Sequence, residues 1–491
     1  MKNYGFTARR VPGPLVYALI VSGCVVAQPS ASFSASHNGK NEFVIKNAIL
    51  LTATHGRIEN GSVYVKDGKI VAFGANVSAP ATATVIDAEG KYITPGIIDP
   101  HSHMALDNDV NEATSPVVPQ MMMKDAFDYT DKAIYRALAG GVTSSLLLHG
   151  SADMIGGQAV VIKTKYGLDR DQMLFPGAPQ SIKFASGENP KRVFGDRKQL
   201  PSTRMGNFEV MREAFTQAKD YQRQWDEYNE KLKKGDKTAS SPKKDLKLEA
   251  LSQVLEGKML VQIHCYRADE FLTEIAIANE FGYKIRAFHH ALEAYKVPQA
   301  LAQNNIAIAT FADWWGFKYE AWDAIPWNAV MAMRAGVKVA IKSDSDDYMR
   351  RLNQEAAKTM RYGGATEDEA VQMVTINPAW IMGIDDKTGS IDVGKDADLV
   401  LWSGYPLSTY GIPEKVCGLT ATCISTACCG VWVCRSTRRG SDEKSRSSPV
   451  AHSPSPFAFC SSPFGFRDVA GKCCDGTAEN DGSSKVFGNC A

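Results

Sequence analysis

The stretch PGIIDPHSHMALD, residues 95–107, sets His101 and His103 one residue apart at the end of a short apolar, β-branched run. In a strand, residues i and i+2 project to the same side. Two imidazoles offered together from one strand end can share one metal ion. HxH alone is a weak signal, so the other ligands must come from elsewhere in the chain. His264 closes the run MLVQIHC, His289 and His290 close KIRAFHH, and Asp344 follows VKVAIKS. Five of the nine histidines fall at these strand ends, which histidines scattered through a core would not do.

Elements able to hold such groups alternate along the centre of the chain. Short apolar runs (GIID, VTSSLLLHG, AVVIKT, QSIKFA, MLVQIHC, KIRAFHH, NIAIATFA and VKVAIKS) are separated by helical patterns such as DYTDKAIYRALAGG and DEFLTEIAIANEFG. Strands alternating with helices predict a parallel sheet with right-handed crossovers. Eight of them over residues 95–385 suit an α/β fold, a (β/α)₈ TIM-like barrel, whose site lies at the C-terminal strand ends. Residues 208–250, rich in charge, read as a helical hairpin insertion with a solvated face. The flanks, 42–94 and 386–416, read as short strands with turns such as KDG. Together they predict a small composite β-sandwich into which the barrel is inserted.

The formal net charge of +1 gives no basic surface for nucleic acid. Lys2, Arg9 and Arg10 precede the apolar run LVYALIV, so residues 1–27 read as a signal peptide and the protein as exported. Val21-Ser22-Gly23-Cys24 also fits a lipoprotein signal, with Cys24 as a lipid anchor and the only expected link to a membrane. Residues 28–41 read as a linker. Of 11 cysteines, nine lie between Cys417 and Cys490. Residues 417–491 lack periodicity, and the expectation is an out-of-frame, disordered tail without the final hairpin of the sandwich; a disulfide module is the alternative.

On PGIIDPHSHM, HGSADMIGGQ, SIKFASGENPKR, IHCYRADE, HHALEAYKV, SDSDD and GSIDVGKDADLVLW, the chain resembles the amidohydrolase superfamily over about residues 42–416. The likeness is to its imidazolonepropionase-like and Xaa-Pro dipeptidase-like branch. That resemblance implies a barrel metal centre held by His101, His103, His264, His290 and Asp344. His290 is chosen from the doublet because it directly precedes ALEAYKV, which leaves His289 to pack behind the barrel wall. Lys183 stands where binuclear relatives carry a carboxylated, bridging lysine; a pair with Glu188 is the other reading. The expected cofactor is a divalent metal, zinc, as one ion or as two if Lys183 is carboxylated.

The chemistry expected is hydrolysis of an amide-type C–N bond by metal-activated hydroxide. Asp344 would carry the proton, and His264 or His290 would steady the oxyanion. A small amide, cyclic amide or dipeptide is the expected substrate, and a homo-oligomer the expected assembly. Arg267, Arg192 and Tyr295 are the candidates for substrate contact, although Arg267 could equally pair with Asp269 or Glu270. The aromatic run FADWWGFKYEAW, 311–322, could roof the pocket or pack as a long loop. The competing readings are an Xaa-Pro dipeptidase-type metallopeptidase, an inactive or binding-only barrel, and a redox enzyme on a His/carboxylate iron site.

Overall fold

The computed structural model describes residues 42–417 and 423–425. The expected signal peptide and linker and nearly all of the expected tail lie outside the described residues. No helix among the described residues is long and apolar enough to cross a membrane.

The N-terminal flank supplies β1 (Glu42–Leu51), β2 (Arg57–Lys66), β3 (Lys69–Gly74), β4 (Thr84–Asp87) and β5 (Tyr92–Pro95). The turn between β2 and β3 is formed by Asp67 and Gly68, both at positive φ, as a tight hairpin requires. The barrel strands are β6 (Ile97–Ser102), β7 (Val142–Leu147), β8 (Ile155–Lys163), β9 (Ser181–Ala185), β10 (Leu260–Cys265), β11 (Ile285–His290), β12 (Ala307–Thr310) and β13 (Val339–Ile341). β14 (Leu399–Trp402), β15 (Pro413–Cys417) and β16 (Cys423–Ser425) follow.

Both flanks do join. β14 lies antiparallel to β5, so the order β16-β15-β14-β5-β1-β2-β3 is one hydrogen-bonded path, with β4 beside β1. This is a single eight-stranded sheet rather than the two facing sheets expected, and the described residues contain no second flank sheet. Its apolar face gathers Leu50, Val63, Val65, Ile93, Leu399 and Leu401. The hairpin expected to be missing is also there in short form: β16 pairs antiparallel with β15, Cys417 opposite Cys423. The reading of 417–491 as out of frame otherwise falls outside the described residues.

The barrel sheet runs β6 to β13 in chain order, and each of the eight expected strands is present. It is not wholly parallel. β8 is antiparallel to both β7 and β9, because only residues 148–154 separate it from β7 and a parallel return needs a crossover of a dozen residues or more. The insertion is a helix pair, Arg204–Lys233 and Leu246–Leu255. The long helix buries Phe208, Met211, Phe215 and Tyr221, so only the part beyond Tyr221 is the solvated face that its charges suggest.

β13 and β6 share no ladder, and polar contacts close the gap. The Asp344 N–H donates to the His101 carbonyl at 2.9 Å. The buried Asp99 carboxylate accepts from the backbone N–H groups of His101 and Ser343, both at 3.2 Å, and from the Ser343 hydroxyl. A buried donor that loses its acceptor costs about 1–3 kcal/mol. Asp99→Ala, which strands three donors, is expected to lower the unfolding free energy by about 2–4 kcal/mol in urea titrations, with Asp99→Asn losing less. An Asp99→Ala protein as stable as the parent would remove this contact from the closure of the barrel.

Candidate metal centre

The polar strand ends meet at one mouth of the barrel. His101 Nε2 lies 3.0 Å and His103 Nε2 3.3 Å from Asp344 Oδ1. His290 Nδ1 lies 3.5 Å from Asp344 Oδ2, and His101, His290 and Asp344 present ligand atoms within 4.8 Å of one another. The His264 ring packs edge-on against His290 with centroids 4.2 Å apart. Lys183 Nζ sits 3.5 Å from His101 Nε2 and donates to the His149 carbonyl at 3.2 Å. All six expected ligand positions are thus brought together. Burial would raise the Asp344 carboxyl, but the Lys342 ammonium at 3.3 Å, the largest of the opposing influences, holds it well below the usual carboxylate range.

His289 is where the sequence reading fails. In the β10–β11 ladder it stands beside His264, so it follows the strand alternation into the barrel. It does not pack behind the wall. Its neighbour should then point outward, yet His290 reaches the site because its backbone is left-handed, at φ 70°, with Ala291 following at φ 44°. Asp344 shares this uncommon geometry, at φ 54°. Such positions cost energy and persist where the surroundings enforce them, often at functional sites.

Lys342 is missing from the expected set. Fully buried, it lies 3.3 Å from Asp344 Oδ2 and donates to His290 Nδ1 at 3.1 Å. Burial lowers its ammonium to about 8 against the pull of Asp344. Burial likewise lowers Lys183 to about 7, with Asp344 opposing and Lys342 assisting. A neutral Lys183 amine is the form that carboxylation needs. Its carbonyl partner comes from the HGSADMIGGQ stretch, whose Gly156 and Gly157 lie within β8 rather than in a tight turn. A Cβ on Gly156 would fall 2.6 Å from His149 Nδ1, so this glycine permits close packing of the His149 ring.

The hydrogen bonds show that the cluster suits a cation. His103 Nδ1 faces the Leu148 carbonyl at 3.0 Å. A carbonyl only accepts, so Nδ1 carries a proton and Nε2 is the nitrogen turned toward the carboxylate. Both ring nitrogens of buried His264 lack a hydrogen-bond partner among the described residues, a costly state that a metal bond relieves.

The expected substrate contacts are less central. Arg267 is tied to Asp269 at 3.0 and 3.3 Å. Arg192 is exposed on the helix Glu188–Gly195, and the Tyr295 hydroxyl donates to the Asp323 carbonyl at 2.9 Å. The loop after β12 comes closer. Phe311 stacks on Trp314 at 4.4 Å and lies 5.7 Å from the His290 ring. Tyr266 stacks on the other side of His290 at 4.7 Å and lies 6.3 Å from Phe317.

The comparisons with known proteins agree with this architecture. The solved structure of an amidohydrolase from Thermotoga maritima MSB8 is 37% identical and covers 76% of this chain and 97% of that one, with a TM-score of 0.69. This chain belongs to the amidohydrolase family. The model of that family matches residues 327–428. The amidohydrolase tasK of Hapsidospora irregularis is 34% identical over 384 residues, 73% of this chain but 38% of tasK, so the chain spans well under half of that protein. An imidazolonepropionase of Mesorhizobium japonicum is 28% identical over 410 residues, covering 74% of this chain and 93% of that enzyme.

In this amidohydrolase, two divalent ions per chain are expected by elemental analysis, falling to one in Lys183→Met, while His103→Ala is expected to leave the protein metal-poor. One ion in an unmodified, fully loaded sample would exclude the bridging role of Lys183.

Proposed function

We propose that this protein hydrolyses an amide-type C–N bond with a divalent metal held by His101, His103, His264, His290 and Asp344, and by Lys183 once carboxylated. The observation that carries the reading is the approach of two imidazole nitrogens, from His101 and His103, to one carboxylate oxygen of Asp344. The metal, zinc in this proposal, supplies polarisation of the carbonyl and activation of water. Asp344 takes the proton of the attacking water and returns it to the leaving nitrogen. Held ionised by the Lys342 ammonium, Asp344 is in the form that this work requires. His264 faces the same space and would steady the charge on the carbonyl oxygen.

The walls favour an uncharged substrate. A dipeptide would want a free cation for its carboxylate, but Arg267 is paired with Asp269 and Lys318 with Glu188 at 3.0 Å. Tyr266, Phe311, Trp314 and Phe317 instead offer an apolar approach to His290. A cyclic amide or a neutral N-acyl compound suits that approach better than an Xaa-Pro dipeptide. The likeness to an imidazolonepropionase favours the ring of a cyclic amide over a linear dipeptide.

The test is a panel of cyclic ureides, cyclic amides, N-acyl amino acids and Xaa-Pro dipeptides. Turnover is expected for the first two classes, abolished by chelation and restored by Zn²⁺. Asp344→Asn is expected to lose about 10²–10⁴-fold in kcat, the usual worth of a positioned acid–base group. Full turnover after complete metal removal would sink the proposal, and dipeptides as the preferred class would transfer it to the metallopeptidase reading. A metal-loaded protein that binds these amides and turns none over would leave a binding-only barrel.

A further inference from the structure

Ile381 lies in the last turn of the helix Ile376–Met382, where carbonyls have no partner within the helix. Its carbonyl accepts from Gln262 Nε2 at 3.1 Å. The Gln262 amide is thereby oriented, because the flipped amide would set two oxygens against each other. Gln262 Oε1 is left facing His289 Nε2 at 2.8 Å, and an amide oxygen can only accept. His289 therefore carries its proton on Nε2. It is fully buried, its ring nitrogens face only Gln262 and His101 among the described residues, and a buried ring without an acid partner holds one proton. Its Nδ1 is then an acceptor, 2.9 Å from His101 Nδ1.

We infer that Ile381, Gln262 and His289 form a relay that fixes the tautomer of His101, placing its proton on Nδ1 and leaving the Nε2 lone pair aimed at Asp344. His289 and Gln262 are positioning residues, since neither faces the cation space directly. The relay gives His101 the same protonation that the Leu148 carbonyl gives His103, by a different route. His101 Nε2 then faces the Asp344 carboxylate oxygen at 3.0 Å with no proton between them, which is an arrangement for a cation. This inference rests on the proposed role of His101 as a metal ligand but not on any particular substrate.

It is tested without turnover. In metal-free protein labelled with ¹⁵N-histidine, His101 is expected to give the Nδ1–H tautomer. Gln262→Met, which removes the acceptor at similar volume, is expected to yield a mixture of His101 tautomers and to weaken Zn²⁺ binding by about 10–100-fold in chelator competition, as loss of a residue that orients a ligand typically does. Should Gln262→Met fail to fold, the pair His289→Phe and His289→Gln repeats the comparison, because the glutamine oxygen can still accept from His101. Unchanged tautomer and affinity in Gln262→Met, or in His289→Phe, would overturn the relay. Should the protein show the expected tautomer and metal binding yet hydrolyse no amide, the relay stands and the proposed activity fails.

Discussion

Asp344 holds its place through one carboxylate, three imidazoles and an ammonium crowded into a space closed on one side by the barrel wall. Taking such groups from water is costly unless each is paired. The surrounding structure can be read as the means of pairing them. The Asp344 backbone N–H ties to the His101 carbonyl, Asp99 holds the strand before it, and Lys342 bridges Asp344 and His290. The same contacts that close the barrel therefore assemble the cluster, and the fold and the site are one constraint seen from two sides.

The aromatic loop and the charged groups divide the labour around that cluster. Basic side chains at the rim are already neutralised by acids, as Arg267 is by Asp269 and Lys318 by Glu188. The Lys342 ammonium, by contrast, is fully buried and directed at Asp344 and His290. Positive charge is thus concentrated where a carboxylate must stay ionised, while the approach is left to rings.

Much of this was legible in the sequence because the barrel obeys a period of two. The rule that paired His101 with His103 also places Asp99 two residues before His101, Gln262 two before His264, and Lys342 two before Asp344. All three face the interior, and all three carry polar contacts of the site. The rule breaks at His290, where a left-handed backbone brings two consecutive histidines to one side. No pattern of residue types announces that reversal. The antiparallel turn of β8 was hidden for a different reason, since its direction depends on the length of a loop that was read as an ordinary connection. The flank strands were visible as strands, but whether they would form one sheet or two depends on pairings between residues some three hundred positions apart.

That last pairing sets a schedule. β5 runs into β6 across the single residue Gly96, yet the partner of β5 on one edge is β14, at Leu399–Trp402. As the chain emerges from the ribosome, the strand bearing His101 is made well before its neighbour on the closing side, β13 (Val339–Ile341), and before the strand that clasps its root, β14 (Leu399–Trp402). Long sequence separation between contacting strands slows folding, because loop closure must precede the reward of contact. The cluster cannot be completed by a partial chain, so its histidines stay accessible to adventitious metal through most of synthesis. The order of construction thus holds back the cluster until β13 has been made.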